Sequence, residues 1–285
     1  MKRIALIFAA AALLTAFAGE SSAAAAARQP SAEGTGAAGE AKASDSAKPA
    51  QELVDGAIYA HTLRRPKPLK NVFYFWRIKA DAFPAKESAP AEGFSIRLGA
   101  GESATFALSN NMAIYAAQDT QFKVDSFKMG ANDLANKFSN ASRLELSLPR
   151  GTLYFYAPDL TAMTPYYVRT PTGTFEIRSS QAEVSAGDGT AYIAVLDGYA
   201  NFTPNGSGSG EFISRGNSFL AVGQAGKSAP KISIANLEIS KADAMRPRLE
   251  MAKTANRTVG FSMSKDGKIA AERIVSPDFL EDRKN

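Results

Sequence analysis

The chain has 285 residues, of which 45% are apolar and 21% are charged, with one histidine and no cysteine. The lack of cysteine excludes disulfides, cysteine-ligated zinc and thiol catalysis, and a single histidine makes His-ligated metal centres and histidine-based triads poor candidates. The chain has a formal charge of +5, which falls to +3 (5 − 2) if an N-terminal segment containing Lys2 and Arg3 is cleaved. No dense Lys/Arg cluster accompanies this charge, so no nucleic-acid partner is expected.

The N-terminus has the organisation of a secretory signal peptide. Lys2 and Arg3 precede an alanine-rich apolar segment at 4–18, and Ala16-Phe17-Ala18 forms a small-residue cleavage site. This apolar run is short against the roughly 20 residues that a spanning helix needs. We therefore predict a signal peptide over 1–18, export, and no membrane span after cleavage. A retained anchor is the alternative.

The next segments lead into the folded part. Residues 19–50 contain no large apolar side chain to offset the entropy of ordering them, which predicts a disordered linker. Residues 51–93 are interpreted as an N-terminal extension with the first strands, including the aromatic segment at 72–78. The proline-containing basic run at 64–70 predicts an extended connector, and His61 beside it is expected to be a solvated linker residue.

From residue 94 to 240 the hydrophobic period is close to two. The clearest case is RLELSL at 143–148, where three leucines face one way and Arg143, Glu145 and Ser147 the other. Turn signals recur every 8–12 residues. This pattern predicts an all-β fold, either a sandwich or a β-solenoid-like stack of short antiparallel strands. The segment 130–138 interrupts it with a predicted helical turn.

The last segment, 241–285, predicts a short helix followed by a hairpin. Residues 241–260 have a helical pattern, but Pro247 is expected to divide the helix into two short pieces or to mark its start. Asp266-Gly267 lies between two alternating apolar arms and predicts a type I′ hairpin turn.

Four acids of the segment 169–202 are the residues that most resemble an active site: Glu176, Glu183, Asp188 and Asp197. Paired carboxylates can hydrolyse glycosidic bonds. The local pattern favours solvated acids, because Glu176 lies on the polar face of a half-buried strand and both aspartates precede glycines, as turn residues do. We therefore predict no catalytic residue, no cofactor and no metal. A carbohydrate-active enzyme with paired surface carboxylates is the alternative.

Aromatic residues are frequent in the predicted strands and leave two interpretations open. They either pack across strands within the protein or form an exposed stripe that stacks on sugars or bases. The residues concerned are Tyr74, Trp76, Tyr154, Tyr156, Tyr166, Tyr167, Tyr192 and Tyr199.

The segment YVRTPTGTFEIRSSQAEVSAGDGTAYIAVLDGYANFTPNG resembles the FecR domain of bacterial envelope proteins. The resemblance extends over about 94–226 and departs from the pattern at 179–182, where family members often have G-T-x-F. The residues that match the family pattern are Gly151 upstream, then Val168, Thr170, Pro171 and Gly173, and finally Ile193, Val195 and Gly198.

The resemblance implies a β-domain at 94–240 with a binding or assembly role at the envelope. The family's signalling members have a cytoplasmic sigma-binding N-terminus and a membrane helix, whereas a signal peptide is predicted for this chain. We expect an exported, non-catalytic protein of the periplasm or cell surface that binds an envelope protein or a glycan. The sequence leaves a link to signalling open.

Overall fold

A computed structural model describes residues 53–64, 89–130, 142–158, 164–223 and 229–273. The predicted signal peptide at 1–18, the linker at 19–50 and the aromatic segment at 72–78 lie outside these ranges. So does the predicted helical turn at 130–138, except for its first residue.

The described residues form strands and one helix, which confirms the predicted all-β fold with a C-terminal helix and hairpin. The elements are β1 (Leu53–Asp55), β2 (Ala57–Arg64), β3 (Ala89–Pro90), β4 (Ser95–Arg97), β5 (Ser103–Leu108), β6 (Ala113–Ala116), β7 (Gln121–Gly130), β8 (Arg143–Tyr156), β9 (Tyr166–Arg169), β10 (Gly173–Gly187), β11 (Thr190–Pro204), β12 (Glu211–Ser214), β13 (Asn217–Val222), β14 (Lys231–Asn236), α1 (Ile239–Thr258), β15 (Val259–Met263) and β16 (Ile269–Arg273).

Fourteen strands share one hydrogen-bonded sheet, with the order β14-β13-β11-β10-β9-β8-β6-β5-β2-β3 along its main path. Strand β7 pairs with β1, β4 and β8, and β12 pairs with β11. The pairing of β8 with β9 is parallel, and the other pairings in the described residues are antiparallel. Strand β10 changes partner along its length, pairing with β9 at 174–177 and with β8 at 181–186.

Two glycines allow the long central strands to bend. Gly151 in β8 has φ +98, and a Cβ there would lie 2.3 Å from the Cα of Thr120. Gly198 in β11 has φ 96 and sits where the register between β10 and β11 shifts, which is a β-bulge. Asp197 therefore lies within a bulged strand. The expectation that Asp197 occupies a turn was wrong, because Gly198 after it forms part of the bulge.

Asp188 does occupy a turn, as predicted. It connects β10 and β11 together with Gly189, and the two residues have φ 49 and 74. A two-residue loop with positive φ at both positions is the type I′ hairpin, whose twist matches that of the flanking strands.

The core follows the period-two pattern. Leu144, Leu146 and Leu148 are all at most 1% exposed, and they share one cluster with side chains from most of the strands. Phe175, Phe202 and Phe219 pack together with ring centroids 4.7 to 5.7 Å apart. The predicted inward faces are thus the buried ones.

The C-terminal helix differs from its predicted form. It is continuous over 20 residues and contains Pro247 in its interior, so the expected break or start at this proline was wrong. Proline removes only the hydrogen bond to the carbonyl of Asp243, and Asp243 is exposed to water. The buried side chains of α1 lie on both sides of the proline, at Met245 and Leu249, and their burial offsets the cost of about 3 kcal/mol.

The C-terminal hairpin is present, but its turn is not the predicted type I′. The Gly267 N–H donates to the Ser264 carbonyl at 3.0 Å, and the Ser264 N–H donates to the Lys268 carbonyl at 2.8 Å. Gly267 has φ 79, whereas Asp266 does not have a positive φ. This is a type I turn followed by a glycine bulge, which forms a longer loop than the two-residue hairpin.

Candidate functional site

The C-terminal helix covers part of the sheet's outer face. Along β10, Ala182 and Val184 point into the core, so Glu183 between them points to the opposite face. Across the strands, Glu183 faces Tyr154 of β8 and Ala194 of β11. Met245 and Leu249 of α1 pack with both of these residues. We call the surface formed by Tyr115, Tyr154, Glu183, Tyr192 and Ala194 the helix-covered face.

Glu183 is a buried carboxylate at the centre of this face. It is 2% exposed, so its prediction as a solvated acid was wrong. The bulge in β10 at 179–182 turns Glu183 to the outer face of the sheet, and that face is covered by α1. Lys241 of α1 reaches it with Nζ 2.5 Å from Oε1, and the Ser185 hydroxyl donates to the same oxygen at 3.4 Å. The second oxygen, Oε2, is buried and accepts no hydrogen bond of normal geometry.

Two tyrosines complete the surroundings of the ion pair. Burial raises the pKa of the Tyr154 hydroxyl well above its ordinary value, and the negative charge of Glu183 raises it further. The same two causes, in the same order, raise the pKa of Tyr192 to about 12. The Lys241 Nζ lies 5.3 Å from the centroid of the Tyr192 ring, which is cation–π distance. The helix-covered face thus offers a carboxylate beside an aromatic ring, a combination that binds cationic side chains.

The other acids of the segment are held by different groups. Glu176 pairs with Arg178 at 2.8 Å, and Asp197 lies 3.7 Å from Arg215. Glu176 is half-exposed beside the buried Phe175, as its position on a polar strand face predicted. Within the ranges that the structure describes, no three His, Asp or Glu residues are arranged to hold a metal ion.

His61 anchors the opposite end of α1. It lies in β2 at a register shift relative to β5 and is half-buried, so its prediction as a solvated linker residue was wrong. Its Nε2 lies 2.9 Å from the hydroxyl oxygen of Thr258, and that hydroxyl donates to the Thr254 carbonyl at 2.7 Å. Because the single hydroxyl proton is used in this way, His61 Nε2 is the donor to Thr258. Sequence reasoning missed this contact, since 197 residues separate its partners.

The family-pattern residues around Thr170 form the connection between β9 and β10. The Thr170 hydroxyl donates to the Gly173 carbonyl at 2.7 Å, and the Pro171 carbonyl accepts from Asn205 Nδ2 at 2.9 Å. A Cβ on Gly173 would lie 2.5 Å from the Phe202 ring. Val168, on β9, is fully buried in the core. These residues therefore have contacts that shape the scaffold.

The aromatic residues divide between packing and exposure. Tyr154 and Tyr192 pack beneath α1, while Tyr166 lies in the core. Tyr199 is different, because its ring packs on Phe212, with the ring centroids 5.6 Å apart, and Phe212 is 58% exposed. Tyr74 and Trp76 lie outside the described residues.

Lys241 is the residue of the site that sequence reasoning did not single out. It is 58 positions from Glu183 in the chain, so no local pattern connects the two. The available signal was the helical pattern at 241–260, because a helix with apolar side chains must pack them against some surface.

Comparison with known proteins identifies a family for the central segment. Residues 94–201 match the family model described as FecR protein, which confirms the resemblance over those residues. They include Tyr154, Glu183 and Tyr192, while Lys241 lies outside them. No curated protein matches the chain. In the described ranges, we find no helix with the length and apolar character needed to cross a bilayer.

Two similar solved structures are crystal structures of candidate anti-sigma factors from Parabacteroides distasonis. The first is 13% identical, with a TM-score of 0.38, and the match covers 53% of this chain and 63% of that one. The second is 11% identical, with a TM-score of 0.39, and the match covers 67% of this chain and 90% of that one. At these scores the likeness carries no argument about function.

Proposed function

Because residues 94–201 match the FecR family, we propose that this chain is an exported, non-catalytic protein of the bacterial envelope whose β-domain binds another envelope component. Periplasm or cell surface is the compartment that fits the signal-peptide pattern and the family. Since the family includes signalling proteins, the proposal extends to a role in envelope signalling.

The proposal rests on one observation: the outer face of the segment that matches the FecR family, 94–201, packs against a helix of the same chain. Helix α1 buries Met245 and Leu249 against Tyr154 and Ala194 and pairs Lys241 with Glu183. A surface that combines apolar contacts with a central charge is suited to protein recognition. This favours a protein partner.

The acids of the segment support a non-catalytic role. General acid–base chemistry needs a carboxyl group that can reach a substrate, whereas Glu183 lies beneath α1 with Lys241 on Oε1. Glu176 and Asp197 are each paired with an arginine.

Capture of a partner tests the proposal. The full chain with a C-terminal tag is expressed in its source bacterium, cross-linked and purified, and bound components are identified by mass spectrometry. We expect an envelope protein to be enriched over a tagged, unrelated exported protein. Failure to capture any envelope component, combined with measurable hydrolysis of a polysaccharide by the purified chain, would replace this proposal with the paired-carboxylate enzyme.

A glycan partner is the second candidate, and the exposed Phe212 beside the half-buried Tyr199 favours it. Exposed aromatic rings stack on sugar faces, and Phe212 is more than half exposed. Phe212→Ala should then abolish retention on immobilised envelope polysaccharide while leaving the circular dichroism spectrum unchanged. Equal retention of the variant and the wild type would exclude this surface.

A further inference from the structure

The helix-covered face has the chemistry of a binding site, and α1, which covers it, does not satisfy all of its polar groups. Lys241 contributes one ammonium group, which reaches Oε1 of Glu183. The side chain of Glu183 is 3% exposed, and its Oε2 is buried with no hydrogen bond of normal geometry, since the Tyr154 hydroxyl makes only a long contact with the carboxylate. A buried carboxylate oxygen without a well-formed hydrogen bond is costly, because the charged group has lost its water and gained no full replacement. A better ligand would therefore satisfy both oxygens.

The side chain that satisfies both oxygens is arginine. Its planar guanidinium presents two parallel N–H groups that match a carboxylate, and it also stacks on aromatic rings such as that of Tyr192. The nearest arginine of α1 does not take this place. Arg248 instead donates to the carbonyl of Ala244 on its own helix.

Helix α1 also has weak intrinsic stability. Pro247 lies in its interior, its N-cap residue Glu238 makes no side-chain cap hydrogen bond, and its first turn contains no acid. Proline is the least favourable residue in a helix interior, and the missing side-chain cap further weakens the start of the helix. Beyond residue 249, its buried side chains are small, at Ala252, Ala255 and Thr258. The helix therefore depends on docking, and such elements open locally more easily than the sheet.

We propose that the helix-covered face is a docking site for a partner protein's amphipathic helix that presents an arginine to Glu183, and that α1 is its intramolecular competitor. This inference rests on the proposed function, since it specifies the partner and the surface. The partner's arginine would take both oxygens of Glu183, and two apolar side chains would replace Met245 and Leu249 against Tyr154 and Ala194. When the partner is absent, α1 closes the face.

The test uses a fluorescent 20-residue peptide with the sequence of α1 and Pro247→Ala, made with either lysine or arginine at position 241. Binding to the full-length chain is measured by anisotropy. Leu249→Ala in the chain removes an apolar contact of α1, and truncation of a buried leucine strongly weakens the packing it belongs to. It should therefore raise the open fraction, and with it peptide affinity, at least tenfold over wild type.

Arginine at position 241 of the peptide should bind the Leu249→Ala chain at least threefold more tightly than lysine. Adding Glu183→Gln to that chain should abolish this preference, whereas Glu176→Gln, on the same strand, should preserve it. Lys241→Met in the chain provides a second opened variant, should Leu249→Ala fail to fold by circular dichroism. Equal binding to closed and opened chains, or equal binding of the two peptides, would overturn the inference.

The capture experiment separates this inference from the proposed function. A partner that is captured equally by wild type and by Glu183→Gln leaves the proposed function intact and overturns the docking site. A captured partner that Glu183→Gln loses and Leu249→Ala gains supports both. Capture of no envelope component would contradict the proposed function, whatever the peptide binds.

Discussion

Gly151→Ala should strongly destabilise the sheet. Gly151 has φ +98, a conformation that residues with a Cβ rarely adopt, and the added Cβ would lie 2.3 Å from Cα and 2.4 Å from Oγ1 of Thr120. These are backbone and near-backbone atoms, so a side-chain rotation cannot remove the overlap. Strand β8 would have to separate from the chain segment at Thr120.

Thr120 is held in place from several directions. Its carbonyl accepts the Leu98 N–H at 2.8 Å, and its hydroxyl oxygen accepts the Thr152 N–H at 2.9 Å. The unfavourable φ costs roughly 1–2 kcal/mol, overpacking adds roughly 1–3 kcal/mol, and a lost hydrogen bond adds about 1 kcal/mol. We therefore expect a loss of about 4 kcal/mol in the free energy of unfolding.

Guanidinium chloride unfolding followed by far-UV circular dichroism measures this loss, with two glycines as controls. Gly216 has φ +76 and open space around its Cβ position, so Gly216→Ala isolates the backbone cost and should lose about 1 kcal/mol. Gly99 has an ordinary φ and a modest contact with Glu102, so Gly99→Ala should change stability by less than about 1 kcal/mol. Equal losses for Gly151→Ala and Gly216→Ala would refute the close-approach argument.

Three further predictions concern stability. The pKa of Tyr192 is about 12 in the folded protein against 10.0 ordinarily, so the folded state holds the phenol proton more tightly than the unfolded state does. The resulting contribution to the free energy of unfolding is complete below pH 10 and is lost as the pH rises through 12. Its half-exposed position limits this to about 1 kcal/mol, and the stability difference between wild type and Tyr192→Phe should change by that amount between pH 9 and 12 in chemical unfolding. Pro247→Ala restores a helix hydrogen bond and should raise stability by about 2 kcal/mol and slow amide exchange in α1; unchanged exchange would contradict the weak-helix argument. Thr170→Val removes the hydroxyl bond to Gly173 and should cost about 1 kcal/mol in thermal unfolding, whereas a neutral result would show that the turn does not need it.

Three of the four Asp-Gly pairs in this chain show how far local sequence determines a turn. Asp188-Gly189 forms the type I′ hairpin that the dipeptide favours. Asp197-Gly198 lies in a bulge within β11, and Asp266-Gly267 follows a type I turn. In each of these three pairs the glycine has a positive φ, whereas Gly56 of the fourth pair, Asp55-Gly56, does not. Whether such a glycine lies in a turn or in a bulge depends on how many flanking residues pair across the strands. That pairing is a property of the sheet.

Glu183 shows the corresponding limit for the site. Alternation along β10 correctly predicts which side chains point to the core, as the buried Phe175 and Ile177 beside half-exposed Glu176 demonstrate. Glu183 was grouped with the solvated acids, although counting in twos from Glu176 would point it into the core. The bulge at 179–182 shifts the alternation and turns Glu183 to the outer face, and a period of two carries no information on what covers that face. Helix α1 comes from a later part of the chain, so only tertiary structure reveals the burial.

The matched segment and the folding unit have different boundaries, and this difference bears on function. The family match ends at residue 201, yet Phe219 of β13 packs with Phe175 and Phe202, so the core needs strands beyond the match. Helix α1 lies further along the chain and adds only to the outer face, with Met245 and Leu249 on Tyr154 and Ala194. Strand β13 cannot leave without opening the core, whereas α1 can leave while the main cluster of buried side chains stays intact. The element that covers Glu183 can therefore be released without opening the main core, as a regulated binding face requires.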